Sequence, residues 1–173
     1  LLIGIIMLLI NPFVAAINTG LNNFLFSLSG VNKVILGAIL AGMMSVDLGG
    51  PVNKAAYTFG TGMLAEGHYE IMAAVMIGGM IAPLAIALIA TFFPKKLPKK
   101  ERQAGLLNYV MGLSFISEGA IPFASADPLR VLPSCVVGSA VSGAMSMAFN
   151  CTLMAPHGGI FVLPLIGNWG WYL

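Results

Sequence analysis

Apolar runs separated by short polar breaks organise the whole chain. Residues 1–32 carry no charge and predict one membrane-spanning helix, with Asn11-Pro12 as a kink or boundary. Asn18, Asn22 and Asn23 make the following stretch more polar, as for a segment near the interface. Residues 34–46, VILGAILAGMMSV, are apolar throughout. As helix they reach only about 20 Å, short of a hydrocarbon core of roughly 30 Å. The stretch DLGGPVNK interrupts them; AAYTFGTGMLA and the polar EGHYE follow. Residues 71–93 are uncharged, extend about 34 Å as helix and can span with some tilt, with a kink expected at Pro83. After KKLPKKER, residues 104–117 are again too short to span alone. Residues 134–155 predict a second full span. Its Gly138, Ser142 and Ser146, and Ser139 with Gly143, recur at four-residue spacing as a helix-packing face. A last apolar run starts at Ile160.

Full spans therefore alternate with half-length pieces, each ending in a polar patch broken by Gly or Pro. Non-helical backbone at membrane depth has to be buried in protein or line a wet cavity. Short, interrupted apolar segments of this kind point to a transporter's binding site. The pattern predicts an all-α membrane protein.

Composition agrees. Asp, Glu, Lys and Arg make up 8% of residues, against about 25% in soluble domains. Hydrophobic residues make up 58% and mean hydropathy is +0.95. So little polar surface implies a lipid bilayer as the main surrounding partner. The net charge of +2 says little, but its distribution says more: five of the eight basic residues lie within Lys95–Arg102. A short basic loop between apolar runs reads as cytoplasmic. The chain lacks a basic leader with a cleavage site, has no initiator Met, and opens and closes on apolar residues. The expectation is an internal fragment of a longer membrane protein. Cys135 and Cys151 show neither CxxC nor metal-ligand spacing and read as small buried hydrophobes. No metal and no cofactor is expected. A phosphate-binding GxxxxGK[ST], an HExxH and a basic-aromatic surface are all absent from the sequence. P-loop ATPase, zinc protease and nucleic-acid-binding readings fall away.

Three patches carry candidate chemistry. Asp47–Tyr57 groups Asp47, Asn53 and Lys54 behind the Gly49-Gly50-Pro51 turn. Ile116–Arg130 holds Glu118, Ser125, Asp127 and Arg130. Ala155–Gly159 holds His157. Ionisable groups in membrane segments are costly, so a functional use is the default. Structural alternatives stand beside each. Asp47 and Lys54 can form an ion pair that holds a loop. Asp127 and Arg130 can pair at a helix start, with Pro128 at its first position. Glu118 can be an interfacial turn carboxylate, and His157 a hydrogen-bonded turn histidine. His68 reads as a loop residue and Lys33 as an interfacial anchor. Carboxylate, amide, imidazole and hydroxyl groups together suit a polyol. Lys54 or Arg130 can stabilise a transferring phosphoryl group, while His and Glu can relay protons. The residues alone leave sugar binding and proton coupling both open.

GAILAGMMSVDLGGPVNKAAYTFG, then FISEGAIPFASADPLRVLPS, then LMAPHGGIFVLPL resemble the fructose-type permease, the IIC component of the bacterial phosphoenolpyruvate-dependent phosphotransferase system. The resemblance covers nearly all of residues 1–173 as one partial transmembrane domain, the C-terminal half of that component. It implies a multi-pass protein of the bacterial inner membrane, with transmembrane helices and re-entrant half-helix hairpins, assembled as a homodimer. It also implies a function: taking up a fructose-like sugar while a phosphocysteine on the IIB partner phosphorylates it. The nucleophilic cysteine would be the partner's, so this segment would not phosphorylate sugar alone. Related IIC families carry a sugar-binding Glu in a G-[I/V]-[T/S]-E motif. Ser117-Glu118 matches its core, after Phe115 and Ile116. By this resemblance Glu118 is catalytic and substrate-binding, at the tip of a half-length segment entering from the cytoplasmic side. Gly119 and Pro122 would break the helix there. Asp47, Asn53 and His157 join Glu118 in the sugar pocket, and Lys54 and Arg130 face the phosphoryl group or IIB. An ion-coupled secondary sugar transporter, with Glu118, Asp47 and His157 as cation sites, is the competing expectation.

Overall fold

The computed structural model describes residues 7, 8, 10–13, 15, 16, 19, 20, 23 and 32–172. The span expected in residues 1–32, with its Asn-rich continuation, falls mostly outside them. Helix α1, Lys33–Val46, begins where the Asn32 side chain accepts from the Val34 N–H at 3.0 Å. Helix α2, Pro51–Ala65, starts on a proline whose missing N–H costs nothing at that position. Helix α3 is Tyr69–Phe92 and α4 is Lys99–Leu113. A 3-10 turn, Ser117–Ala120, leads into the short α5, Ile121–Ala126. Helix α6, Pro128–Ala148, follows after Asp127. Strand β1, Thr152–Leu153, pairs antiparallel with β2, Ile166–Gly167, around a 3-10 segment at Gly159–Leu165, and α7 is Trp169–Tyr172. Among the described residues the all-α expectation holds apart from that two-residue ladder.

Helix α3 is apolar all round and forms the centre, packed by α1, α2, α4 and α6. Among the described residues two helices, α3 and α6, are long and apolar enough to cross a membrane. The small-residue face expected on α6 is a packing face. A β-carbon added at Gly143 would fall on Ala41 and on the Gly37 carbonyl of α1. One at Gly78 of α3 would meet the Ala41 backbone at 2.5 Å. Buried Ser139 pins all three helices. Its Oγ donates to the Gly78 carbonyl at 2.8 Å. Having one hydroxyl hydrogen, it must accept from Ser45 Oγ of α1, 2.6 Å away.

Helix α4 runs back along α3, with Gly105 beside Ala90, Gly112 beside Leu84, and Phe115 beside Gly79. Gly79 lies about 15 Å along α3 from Tyr69, near the middle of its roughly 36 Å length. The turn after α4 therefore sits at mid-length of the central helix. Helices α1 and α2 form a second hairpin, whose turn is Asp47–Gly50.

Three local expectations shift, and the apolar run from Ile160 takes its own form. The basic run is a loop only in its first half, since Lys99 already begins α4. The second span starts six residues early, at Pro128, and ends at Ala148, after which Asn150 takes φ +51°. The run from Ile160 is not an α-helix: Gly158 and Gly159 sit at positive φ before it, Pro164 lies inside it, and it returns through β2. Gly119 and Pro122 do not break a helix. Pro122 occupies the first turn of α5, and the break lies earlier, at Phe115 with φ +62°.

Candidate functional site

The two hairpin turns meet. Leu48 and Gly49 take φ +48° and +111°, which folds α2 back beside α1. Asp47 fixes this turn. Its Oδ2 accepts from the Val52 N–H at 2.7 Å and its Oδ1 from the Asn53 N–H at 3.0 Å. These are unpaired donors of the first turn of α2, which an acidic group at a helix start satisfies. Asp47→Ala is expected to lower stability by about 1 kcal/mol, with Asp47→Asn, which keeps only one of the two accepting oxygens, recovering part of it. Thermal unfolding of the full-length protein in detergent checks this.

The capped turn sets Gly49 against the other hairpin. The φ of +111° at Gly49 favours glycine, and a β-carbon there would lie 2.7 Å from Glu118 Oε1 and displace the carboxylate. Buried Asn53 spans the junction. Its Nδ2 donates to the Met44 carbonyl at 2.7 Å and to Ser117 Oγ at 3.4 Å. Phe115 presents its ring to His157 edge-on, with centroids 5.1 Å apart, and lies 6.2 Å from the Tyr57 ring.

Around this junction lies a cavity of about 440 Å³, lined by Asn53, Lys54, Tyr57, Ser117, Glu118 and His157 on its polar side. Met44, Phe115 and Ile116 supply the apolar wall. Small-molecule sites span roughly 300–1,000 Å³ and combine an apolar lining with a few placed polar groups. Glu118 is exposed to this space. Among the described residues no donor or cation engages its carboxylate, so it is free to accept from a ligand.

Four sequence candidates, Glu118, Asn53, Lys54 and His157, thus share one cavity. Asp47 does not line it; its carboxylate caps α2 behind Gly49, and no Asp47–Lys54 ion pair forms among the described residues. Arg130 does not line it either. It pairs with Asp127 at 3.4 Å on an exposed surface, where Asp127 precedes Pro128 without a side-chain cap. Sequence reasoning missed Tyr57, Ser117 and Phe115 as lining residues. Tyr57 lies one helical turn from Asn53, a signal that was present. His68 and Lys33 meet at Glu70, at 3.9 and 3.2 Å, far from this site in sequence and at the Tyr69 end of α3. Cys135 and Cys151 are free and buried. Among the described residues no cluster of three His, Cys, Asp or Glu groups is placed to hold a metal.

Residues 1–138 match the family model described as the phosphotransferase system EIIC. A fructose-specific EIIB'BC component of Rhodobacter capsulatus is 53% identical over 98% of this chain and 30% of its own length. The fructose permease IIC component of Bacillus amyloliquefaciens is 54% identical over 92% of this chain and 52% of its own. A fructose-specific EIIC component of Haloferax volcanii is 50% identical over 86% and 40%. The chain thus spans about a third to a half of the length of these relatives. No solved structure matches it. By a family match over most of its residues and by these identities, the chain is a membrane protein belonging to the phosphotransferase system EIIC family.

Proposed function

We propose that this chain is part of the sugar-binding and translocating subunit of a phosphotransferase system, taking up a fructose-like sugar that a phosphorylated IIB domain phosphorylates. One observation carries the reading: Glu118, Asn53, Lys54 and His157 converge on one cavity beside the middle of a spanning helix. The relatives named for fructose and for fused EIIB segments support the substrate class and the partner. The two hairpins, α1–α2 and the α4–α5 pair, act as re-entrant elements that enter from opposite faces and meet at Gly49 and Glu118. Their half lengths support this. The protein is multi-pass in the bacterial inner membrane. Lys95, Lys96, Lys99 and Arg102 lie at the cytoplasmic end of α3. Trp169 and Trp171, the latter stacked on Phe149 at 4.9 Å, lie toward the other end as an interfacial belt. As the family resemblance implies, it works as a homodimer.

In this mechanism the sugar hydroxyl lies against Glu118. The carboxylate takes the hydroxyl proton as the oxygen attacks phosphorus and the phosphorus–sulfur bond of the IIB phosphocysteine breaks. The thiolate leaves on IIB. Lys54 faces the charge on the transferring group, and Asn53 and His157 orient the ring hydroxyls. Arg130 lies on a surface open to IIB rather than in the cavity. The ion-coupled alternative is not favoured, because the relatives are named as phosphotransferase components.

The test uses the full-length protein in membrane vesicles with phosphoenolpyruvate, the phosphorelay, IIB and labelled fructose. Accumulation of sugar phosphate is the expected result. Gradient-driven uptake of free sugar with no phosphate formed would overturn the reading.

A further inference from the structure

Helix α4 carries one polar side chain on its buried face. Asn108 is 1% exposed. Its Nδ2 donates to the Ala104 carbonyl at 3.3 Å, one turn back on the same helix. Its Oδ1 is fully buried and, among the described residues, has no hydrogen-bond partner. Leaving such an acceptor unpaired costs about 1–3 kcal/mol, whereas an apolar side chain of similar shape would carry no such penalty. A core filler would be better served by Leu. What Oδ1 faces is specific: a β-carbon added at Gly119 would fall directly on it, with Met111 Sδ 2.7 Å from the same point. The amide therefore backs onto Gly119 in the turn that carries Glu118 and does not line the cavity itself.

Two contacts hold the front of that turn: Asn53 Nδ2 on Ser117 Oγ, and Gly49 against the Glu118 carboxylate. The turn itself is a 3-10 segment of four residues entered through Phe115 at positive φ. Such a segment has few hydrogen bonds of its own and takes its orientation from what it rests on.

We propose that Asn108 is the positioning residue of the Glu118 turn: the side-chain amide behind Gly119 sets the direction in which the carboxylate enters the cavity. This rests on the sugar-phosphorylating reading for its kinetic consequence, but not for its geometry. A displacement of the carboxylate by an ångström is enough to lower a proton-transfer step severalfold to a hundredfold.

The test compares Asn108→Leu and Asn108→Asp in the full-length protein. Asn108→Leu removes the orphan acceptor, so thermal stability in detergent is expected to be unchanged or higher. Its turnover of fructose to sugar phosphate is expected to fall about tenfold, at saturating IIB. Asn108→Asp keeps Oδ1 and the side-chain shape but trades the Nδ2 donor to the Ala104 carbonyl for a second oxygen, so its thermal stability is expected to fall; compared at matched folded protein it is expected to retain more turnover than Leu. A second readout needs no phosphoryl transfer. Glu118→Cys is labelled by a soluble maleimide with Asn108 intact and with Asn108→Leu, against the buried native cysteines as background. A severalfold change in labelling rate is expected. Wild-type turnover reports on the proposed function, and the labelling rate reports on Asn108 alone. Unchanged labelling, unchanged turnover in Asn108→Leu, or a turnover loss that merely follows a loss of thermal stability would each overturn the proposal.

Discussion

Glu118→Gln is expected to lower sugar-phosphate formation by about a hundredfold or more while leaving the protein folded. The two halves of this expectation come from different observations. Glutamine keeps the size of the side chain and one carbonyl oxygen, but it cannot take a proton from the attacking hydroxyl. General-base contributions of roughly 10²–10⁴ set the scale. Stability should hold because, among the described residues, no donor or cation pairs with the carboxylate, and it is exposed to the cavity. Removing its charge therefore strands no buried partner. The measurement is labelled sugar phosphate formed in vesicles with a saturating phosphorelay, beside the thermal unfolding of the same preparations. Glu118→Asp should fall in between, since the shorter side chain keeps the base but withdraws it from the hydroxyl. Equal product from wild type and Glu118→Gln would remove Glu118 from the chemistry while leaving the permease reading intact. Retained binding of free sugar with lost product would place the residue in the chemical step rather than in recognition.

Much of this site is legible in the sequence because the chain is so apolar. In such a chain each polar side chain in a half-length segment is costly, so Asn53, Lys54, Glu118 and His157 stand out without any structure. Asp47 stands out by the same criterion, yet it spends both carboxylate oxygens on the backbone of α2. Cost marks a polar group as used but does not say whether a ligand or the backbone uses it. Phe115 is invisible for the opposite reason. A bulky residue at φ +62° is one that local preference argues against. It is held there by tertiary contacts with Gly79, Tyr57 and His157, which no local window contains. Hence the local signal points to Gly119 and Pro122 for the helix break, while tertiary contacts set it at Phe115.

The fold divides in the same way. Helices α1 and α3 follow from hydropathy and length alone. Helix α6 does not, because Arg130 and two prolines sit in its first two turns, so a window of apolar residues starts too late; the Asp127-Pro128 signature marks the true start. The segment after it misleads in the other direction. Residues 160–166 are apolar enough for a helix, but paired glycines before and Pro164 within turn them into a return loop.

Gly143→Leu is expected to cost at least about 3 kcal/mol, at or above the upper end of the usual overpacking range, and to remove most folded protein from the membrane. The reason lies in what the new side chain would meet. At Gly143 the neighbours are the Ala41 β-carbon and the Gly37 carbonyl. Neither is the end of a flexible side chain that can swing away, so α1 and α6 would have to separate. Separation would also pull Ser45 from Ser139 and expose two buried hydroxyls to lipid, where unpaired polar groups are penalised. Gly143→Ala should show the same effect at about 1–3 kcal/mol. Gly37→Ala presses on the same contact from the other side, since its β-carbon would meet Met147 and lie 2.6 Å from the Gly143 carbonyl. Because one displacement relieves both clashes, the double Ala variant should lose less than the sum of the singles, by about 0.5–3 kcal/mol. Thermal unfolding of the four proteins in one detergent measures this coupling. Additive losses would mean that the two glycines relax independently, and that the close crossing of α1 and α6 is not what fixes the hairpin carrying Asn53 and Lys54 against the Glu118 turn.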